Sequence, residues 1–331
     1  MIITKTPFRI TLGGGGTDLP SYYSHYGGFI FAMGIDKYMY VAVNPLTIDK
    51  KIHVKYTISE AVNNVNELKH ELAREALKLN QITEKFDISS MADLPAGTGL
   101  GSSSCYLVGL LNALHQYQRN YITLKELAEE ACNIELDILQ KGIGKQDQYM
   151  AVYGGLTILE IDKLGNVTVK SINLGSGDIS ELIRNTHIYY TGVLRNTTEI
   201  LFTQNEAMKK VVPSSEVEES LNKIKELGYK SLEEIEKGNF DSWGLLLHEH
   251  WRNKRALSTK ISSTTIDILY DQVRKEFGVL GGKIIGAGGG GFLMFYVPQN
   301  HKRLEKVMLD WGMPRLHYNI EMKGSSVICN V

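Results

Sequence analysis

Hydrophobic and polar positions alternate at the start of the chain. The alternation covers residues 2 to 12, beside a glycine run, and the segment from Phe29 to Pro45 is rich in β-branched and aromatic side chains. A period of two is typical of strands with one buried face. The pattern therefore predicts strands in both segments.

Helical spacing begins further along the chain. It covers residues 66 to 80, whereas residues 86 to 97 return to a strand and then a loop. A helix is predicted to begin at about Ser102. The next helix follows a capping box formed by Thr123 and Glu126, and glycines at 142 and 144 are predicted to close it.

The order of strands and helices restarts near His187. A strand is predicted there, followed by helices near residues 214–237, 239–257 and 263–277 and by the segment KIIGAGGGGFLMFYV. No repeat or low-complexity linker interrupts the chain. We therefore predict an α+β protein in two lobes, with domains at 1–180 and 181–331.

Composition and charge exclude several classes of protein. Hydrophobic residues make up 43% of the chain and charged residues 22%, as in ordinary globular proteins. Lys and Arg number 36 against 37 for Asp and Glu, so no overall field draws the protein to nucleic acid or to an anionic membrane. Three scattered cysteines match no zinc spacing, and no apolar run predicts a signal peptide or a membrane span. A cytoplasmic enzyme is expected, with no nucleic-acid or membrane partner.

A glycine- and serine-rich loop lies in the middle of the chain and runs into an apolar segment that is predicted to be a buried helix. The loop comprises Gly97, Thr98, Gly99, Leu100, Gly101, Ser102, Ser103 and Ser104. Glycines let backbone N–H groups approach phosphate oxygens, and a helix N-terminus adds about half a positive charge. The loop therefore predicts an anion site, with a glycine turn capped by Ser102 as the alternative.

Two common kinds of nucleotide site are not supported. The chain has no G-x-x-x-x-G-K-[ST] and neither the HRD nor the DFG signature of protein kinases. Gly286, Gly288 and Gly291 form a G-x-G-x-x-G, but it lies between two strand-like runs instead of between a strand and a helix. A Rossmann site is therefore disfavoured.

Three motifs together resemble those of the GHMP kinases, the family of galactokinase and of homoserine, mevalonate and phosphomevalonate kinases. The central loop is similar to P-x-x-x-G-L-G-S-S, and TPFRITLGGGGTD and KIIGAGGGGFLMFYV are similar to the amino- and carboxy-terminal motifs. Within the family the chain is most similar to the branch of D-glycero-D-manno-heptose 7-phosphate kinase, because GGGTD replaces the galactokinase G-E-H-x-D. The resemblance implies a ribosomal protein S5 domain 2-like N-terminal domain and a ferredoxin-like C-terminal domain.

The resemblance also implies roles for four residues. Asp147 matches the aspartate of the family's G-x-x-D-Q motif, which makes it the expected catalytic base. Arg9 matches the cation that stabilises the transferring phosphoryl group. The family's metal-binding serine corresponds to Ser103, and Glu135 is expected to join it in binding Mg²⁺; a solvated carboxylate is the alternative for Glu135. The loop from Gly97 to Ser104 is expected to hold the phosphates of ATP.

The substrate site is expected to use residues from both halves of the chain. Asp18 matches the family's sugar-hydroxyl binder, with an Asx-turn as the alternative. Cations at a lobe interface suit a substrate that already carries a phosphate, so Lys254, Arg255 or Arg195 is expected to bind that phosphate. The alternative for the helix with Lys254 and Arg255 is a solvated face. The other residues expected to contact the substrate belong to the amino- and carboxy-terminal motifs, namely Gly15, Gly16, Thr17, Gly288, Gly289 and Gly290.

The resemblance to this branch implies an ATP- and Mg²⁺-dependent kinase for the anomeric hydroxyl of a heptose 7-phosphate. Such a reaction serves nucleotide-activated heptose synthesis for capsule or lipopolysaccharide. Two alternatives stay open. One is the same chemistry on another sugar such as fucose, and the other is a non-catalytic sensor that binds ATP and sugar; the retained Asp147 and Arg9 argue against the sensor.

Overall fold

The computed structural model describes residues 1–193 and 216–331, and within these ranges the chain forms twelve strands and ten α-helices. The strands are β1 (Ile2–Gly13), β2 (Gly28–Pro45), β3 (Ile52–Lys55), β4 (Ser59–Val62), β5 (Phe86–Ala92), β6 (Leu156–Ile161), β7 (Val167–Ile172), β8 (Thr186–Tyr190), β9 (Gly281–Ile284), β10 (Phe292–Tyr296), β11 (Arg315–Leu316) and β12 (Ser326–Asn330). The helices are α1 (Pro20–Tyr26), α2 (Glu71–Leu79), α3 (Ser102–Gln118), α4 (Leu124–Cys132), α5 (Gln146–Tyr153), α6 (Ser176–Asn185), α7 (Glu216–Glu236), α8 (Phe240–Ala256), α9 (Thr264–Phe277) and α10 (His301–Asp310). Among these helices none has the length and apolar character needed to cross a membrane.

The long strand β2 organises the larger sheet. Its first part pairs with β6, its second part pairs with β5, and β1 pairs with it along most of its length. The strand order is β12-β1-β2-β5-β3-β4, with β6 and β7 continuing from β2. Because β12 pairs with β1, the last strand of the chain joins the sheet that the first strand begins. A domain boundary near residue 180 stays a prediction.

The smaller sheet is antiparallel and has the order β11-β8-β10-β9. The glycine run at residues 286–291 connects β9 to β10, and these two strands pair with each other. The G-x-G-x-x-G therefore lies between two antiparallel strands, as predicted, and no helix follows it directly. Helix α8 packs against β9.

Helix α3 lies in the core against β1 and β2. Nearly every side chain from Ser104 to His115 is buried, as its apolar sequence predicts. A helix that is packed on all sides holds its own N-terminus firmly in place. This fixes the position of the glycine- and serine-rich loop that precedes it.

Two elements near the site differ from the sequence prediction. The helix after Thr123 was expected to continue to about residue 141, but α4 ends at Cys132 and a π-helical turn follows over Asn133–Ile138. Helix α5 was not predicted at all, since glycines precede it and its length is only eight residues. π-helical turns often occur at functional sites. Helix α5 carries Asp147, which lines a cavity, whereas the π-helical turn carries Glu135, which is fully buried and does not line that cavity.

Candidate active site

A cavity of about 710 Å³ brings the three sequence motifs together. Its lining includes Arg9 from β1, the glycine- and serine-rich loop before α3, and Asp147 from α5. Helix α8 contributes His250, and strand β9 contributes Lys283. The cavity is thus built from segments that lie far apart in the sequence.

The phosphate-loop candidate has the backbone that its glycines allow. Gly97, Gly99 and Gly101 all have positive φ, at 75°, 85° and 87°. Residues that carry a Cβ atom rarely adopt this backbone conformation. The loop leads directly into the first turn of α3, where Ser102 and Ser103 line the cavity. Unpaired N–H groups at the helix N-terminus make this segment suitable for an anion.

The second glycine run packs directly on this loop. A Cβ atom on Gly291 would lie 2.2 Å from the carbonyl oxygen of Thr98, and φ of Gly291 is +82°. Thr98 is itself fully buried and donates its hydroxyl to the carbonyl of Pro95. The close approach holds the carboxy-terminal motif against the phosphate loop.

Replacing Gly291 with Ala is expected to separate the two loops. The positive φ alone costs about 1–3 kcal/mol for a residue with a Cβ, and the contact with Thr98 adds to this. We expect a lower Tm in thermal unfolding together with weaker ATP binding. Gly177→Ala is the matched control, because a Cβ there meets nothing within 4 Å. Equal Tm values for the two variants would contradict the close packing.

Arg9 and Asp147 form a charge pair at the edge of the phosphate loop. Nε of Arg9 donates to Oδ1 of Asp147 at 2.8 Å, and Nη2 lies 2.7 Å from the same oxygen. Nη1 donates to the carbonyl of Gly99 at 2.7 Å. A Cβ on Gly101 would lie 3.4 Å from Cγ of Asp147, so the carboxylate rests on the loop. The pair therefore lies against the loop and faces the cavity.

Asp18 lies on the other side of α5. Its carboxylate accepts the backbone N–H of Gln146 at 3.0 Å and that of Gly16 at 3.2 Å. Gly144 makes room for it, since a Cβ there would lie 2.0 Å from Oδ2. Burial raises the pKa of Asp18, and the hydrogen bond from the Gln146 N–H opposes that shift. The first turn of α5 therefore connects Asp18 to Asp147.

Glu135 is fully buried on the π-helical turn. Oε2 accepts hydrogen bonds of 2.6 Å from Ser104 and from Gln148, whereas Oε1 has no partner. Burial raises the pKa of Glu135, and the charge of Asp147 adds to the shift. Two carboxylates are thus close enough to repel each other, and one oxygen is left without a donor.

Profiles of known families match both halves of the chain. The description "GHMP kinases N terminal domain" matches residues 59–155, and "GHMP kinases C terminal" matches residues 231–311. The chain belongs to the GHMP kinase family. The predicted α+β GHMP kinase fold is confirmed, and so is the prediction of a phosphotransferase of this type.

Relatives of this GHMP kinase include named sugar kinases. The D-glycero-alpha-D-manno-heptose 7-phosphate kinase of Campylobacter jejuni is 28% identical over 312 residues, which cover 91% of each protein. The L-fucokinase/L-fucose-1-P guanylyltransferase of Bacteroides fragilis is 25% identical; the match covers 92% of this chain and 36% of that protein. A solved D-glycero-D-manno-heptose 1-phosphate kinase from Bacteroides thetaiotaomicron is 22% identical, with a TM-score of 0.80 and full coverage of both chains.

Five of the eight residues of the predicted phosphate loop line the cavity, and the other three are buried behind them. Gly97, Gly99, Gly101, Ser102 and Ser103 line the cavity. Their neighbours Thr98, Leu100 and Ser104 are buried behind them. Ser104, next to the predicted metal ligand Ser103, is the serine that reaches Glu135. The metal roles of Ser103 and Glu135 stay predictions.

The amino-terminal glycine run also has two parts. Gly15 and Gly16 line the cavity beside Asp18. Gly14 packs on β2 instead, where a Cβ would lie 1.9 Å from the carbonyl oxygen of Phe29. Thr17 is buried and donates its hydroxyl to that same carbonyl. Within residues 13–18 the cavity is therefore lined by Gly15, Gly16 and Asp18.

The predicted cations separate in the structure. Lys254 lines the cavity and donates to the carbonyls of Ile284, at 2.8 Å, and Gly286. Arg255 points elsewhere: it pairs with Asp267 at 2.8 Å and is not part of the cavity lining. Arg195 lies outside the described residues.

Three of the carboxy-terminal glycines, Gly288, Gly289 and Gly290, pack against neighbouring segments of the chain. A Cβ on Gly288 would lie 2.9 Å from Cα of Ile261, and Gly289 donates its backbone N–H to the carbonyl of Ile261. Gly290 packs against Val193 in the same way. The cavity itself is lined by Gly286 and the residue that follows it. Substrate contacts by Gly288, Gly289 and Gly290 stay predictions.

Two groups of cavity residues were missed by the sequence reasoning. One is aromatic: Tyr56, His70 and Tyr106 have neighbouring ring centroids 4.5 and 4.7 Å apart. The other comprises Lys283 and His250, which are both almost completely buried. No motif marks the aromatic group. No local signal marks Lys283 either, because a single lysine in a strand is ordinarily exposed.

Proposed function

We propose that this protein uses ATP and Mg²⁺ to phosphorylate D-glycero-D-manno-heptose 7-phosphate at its anomeric hydroxyl, giving the 1,7-bisphosphate. One observation carries the proposal: Asp147 is held by Arg9 against the phosphate loop and faces the same cavity as Asp18. Phosphoryl transfer depends on such positioning and on charge neutralisation more than on covalent catalysis.

The cavity lining supports an orientation for ATP. The phosphates would lie on the loop from Gly97 to Ser103, where backbone N–H groups and the N-terminus of α3 suit negative charge. The adenine ring of ATP would lie among Tyr56, His70 and Tyr106, since aromatic and apolar walls suit a flat heterocycle. The buried hydroxyl of Tyr106 has no partner among the described residues and offers a hydrogen bond there.

Asp147 would act on the acceptor hydroxyl. Its carboxylate faces the cavity at the loop, so it can accept the hydroxyl proton and orient the oxygen for in-line attack. Arg9 keeps the carboxylate in place with two of its nitrogens. Asp18 would hold the hydroxyls of the sugar ring, because each carboxylate oxygen accepts two hydrogen bonds.

The donor set near the loop fits a magnesium ion. Mg²⁺ in kinases is usually held by one or two carboxylates together with the phosphates. Ser103 lines the cavity, and Glu135 has a buried oxygen without a donor. These two residues would hold the ion, which supplies positive charge to the β- and γ-phosphates when it is bound.

Glu135→Gln is expected to remove most of the stabilisation that Mg²⁺ adds to ATP binding. We expect MgATP to raise the Tm of the wild-type protein well above the value with ATP and EDTA, and the variant to show little difference between the two. Equal magnesium effects in both proteins would remove Glu135 from the ion's ligands.

Without ligand, Glu135→Gln is expected to raise the thermal stability of the protein instead of lowering it. The pKa of Glu135 is raised above its ordinary value of 4.5, so the folded protein binds more protons there than the unfolded chain does. The contribution of the protonated carboxyl is complete below pH 4.5 and is lost as the pH rises through the folded pKa. Glu135→Gln without ligand is therefore expected to gain Tm relative to wild type as the pH rises, which a pH series of unfolding curves measures.

Two observations support the proposed substrate, namely the names of the relatives and the charge of the cavity. The Campylobacter jejuni relative is named for a heptose 7-phosphate, and the cations at Lys254 and Lys283 suit an acceptor that carries a phosphate. The Bacteroides fragilis relative is named for fucose, so L-fucose is the second candidate.

A coupled ADP-release assay tests the proposal. The panel contains D-glycero-D-manno-heptose 7-phosphate, the unphosphorylated heptose, L-fucose, D-galactose and mevalonate. We expect the highest kcat/KM with the heptose 7-phosphate, and ³¹P NMR is expected to show a new anomeric phosphate. A higher kcat/KM with L-fucose would replace the proposed substrate, and no turnover with any compound would favour the sensor.

A further inference from the structure

Lys283 is a buried cation without a counter-ion. Its residue is 2% exposed, yet it lines the cavity, and it makes no hydrogen bond or ion pair with any described residue. Lys254 differs, because two backbone carbonyls accept hydrogen bonds from it. Burying a charged group without a partner is costly. A lysine kept in this state indicates an anion that is supplied from outside the chain.

The fold brings Lys283 against a second polar side chain. Strand β9 lies tightly on α8 because Gly281 has no side chain: a Cβ there would lie 2.1 Å from the carbonyl oxygen of Gly244. His250 on α8 is 1% exposed, lines the cavity and has an Nδ1 without a partner. Burial lowers the pKa of His250, and the charges of Lys283 and Lys254 add to the shift, so the imidazole is neutral and has one N–H to donate.

The charged group that acts on Lys283 is itself a cation. Burial lowers its pKa to about 7, and the Arg9 guanidinium contributes to the shift. Lys254 is on the same helix as His250 and adds positive charge there. The carboxylate of Asp147 is already paired with Arg9. An incoming anion would therefore meet three basic side chains and a neutral imidazole.

We propose that Lys283 and His250 form a subsite for the phosphate monoester that the sugar substrate already carries. This rests on the proposed function, in that the acceptor is taken to be a sugar phosphate. The two residues come from β9 and α8, whereas the loop suited to the ATP phosphates precedes α3. One cavity would thus hold two phosphate groups, with Asp147 at the loop.

A phosphate dianion at Lys283 has two conceivable sources, the acceptor's own phosphate and the phosphoryl group in transfer. Arg9 already occupies the second position, since it contacts both the loop carbonyl of Gly99 and Asp147. Among the described residues, Lys283 makes no hydrogen bond to the loop. The acceptor's phosphate is therefore the source that the contacts favour.

Lys283→Met tests the subsite, since Met keeps the length of the side chain and removes its charge. We expect KM for heptose 7-phosphate to rise about 10- to 100-fold, the effect of losing a charge-assisted hydrogen bond. KM for ATP and kcat/KM for the unphosphorylated heptose are expected to stay within about twofold of wild type. Lys275→Met on the exposed face of α9 is the matched control and is expected to change none of these values.

The outcomes separate the two phosphate sources. A fall in kcat with both forms of the sugar, at unchanged KM, would assign Lys283 to the transferring group and overturn the proposal. An unchanged preference for the phosphorylated sugar would overturn it as well. If wild type itself does not prefer the phosphorylated form, the proposed substrate fails first, and that result is visible without any variant.

Proton uptake provides a readout that does not depend on turnover. Because the pKa of Lys283 is about 7 in the ligand-free protein, a bound dianion would raise it and draw in a fraction of a proton at pH 7. Calorimetry of heptose 7-phosphate binding in two buffers of different ionisation heat measures this number. We expect uptake by wild type and by Lys275→Met and little by Lys283→Met; equal uptake by all three would contradict the subsite. Unfolding curves confirm that each variant is folded.

Discussion

Asp147→Asn is expected to lower kcat about 10²- to 10⁴-fold, the usual contribution of a general base. The substitution keeps the size of the side chain but removes the charge that accepts the hydroxyl proton. Glu135 also contacts the loop, through Ser104, but it does not line the cavity as Asp147 does, so we expect no neighbour to take over the role of Asp147. Single-turnover measurements with saturating ATP give this rate for the chemical step.

ATP binding is the control for Asp147→Asn. The loop glycines and the N-terminus of α3 do not depend on the charge of Asp147, so the Kd for MgATP is expected to change by less than about threefold. Asp87→Asn on β5 is the matched surface substitution, because Asp87 pairs with Lys55 away from the cavity. Near-wild-type turnover by Asp147→Asn would remove Asp147 from the chemistry.

Arg9→Met is expected to lower kcat about 10²- to 10³-fold, as the loss of a charge-stabilising donor usually does. Arg9 is 4% exposed, and Met fits its buried stem while removing all three polar contacts to Asp147 and Gly99. The Asp147 carboxylate would then lose the partner that fixes its direction. Arg9→Lys is expected to recover only part of the loss, because an ammonium group cannot reproduce the guanidinium geometry.

The double variant separates two roles for Arg9. If Arg9 acts through Asp147, adding Arg9→Met to Asp147→Asn costs much less than it costs in wild type. If Arg9 acts on the phosphoryl group independently, the two losses multiply. Arg9 bonds both Asp147 and the loop carbonyl of Gly99, so we expect partial non-additivity. Fully multiplicative rates would show that Arg9 does not act through Asp147.

Local sequence signals predicted the conformation of the glycine- and serine-rich loop and the burial of the helix after it. The glycines at 97, 99 and 101 have the positive φ that glycine permits, and the apolar helix after Ser102 is buried. Such features depend on neighbouring residues alone, because backbone conformation and amphipathicity are local properties. The family motifs followed the same logic and correctly gave the fold.

Residues that meet through long-range packing were less readable. Arg255 looked as suitable for a phosphate as Lys254, but helix geometry turns it toward Asp267 and away from the cavity. Lys283 was overlooked, since a single lysine in a strand is ordinarily solvent-exposed. It is buried because Gly281 allows β9 to lie against α8. Spacing along the chain cannot report that contact.

The sequence by itself determined the strands and helices around the glycine motifs, the loop that suits phosphate and the membership of the GHMP kinases. Only the tertiary structure decided that Asp147 lies on a helix, that Arg9 holds it, and that Lys283 is buried without a counter-ion. The reason is physical. Helix periodicity and glycine conformation arise from interactions between near neighbours, whereas charge pairing and desolvation depend on which distant segments the folded chain brings into contact.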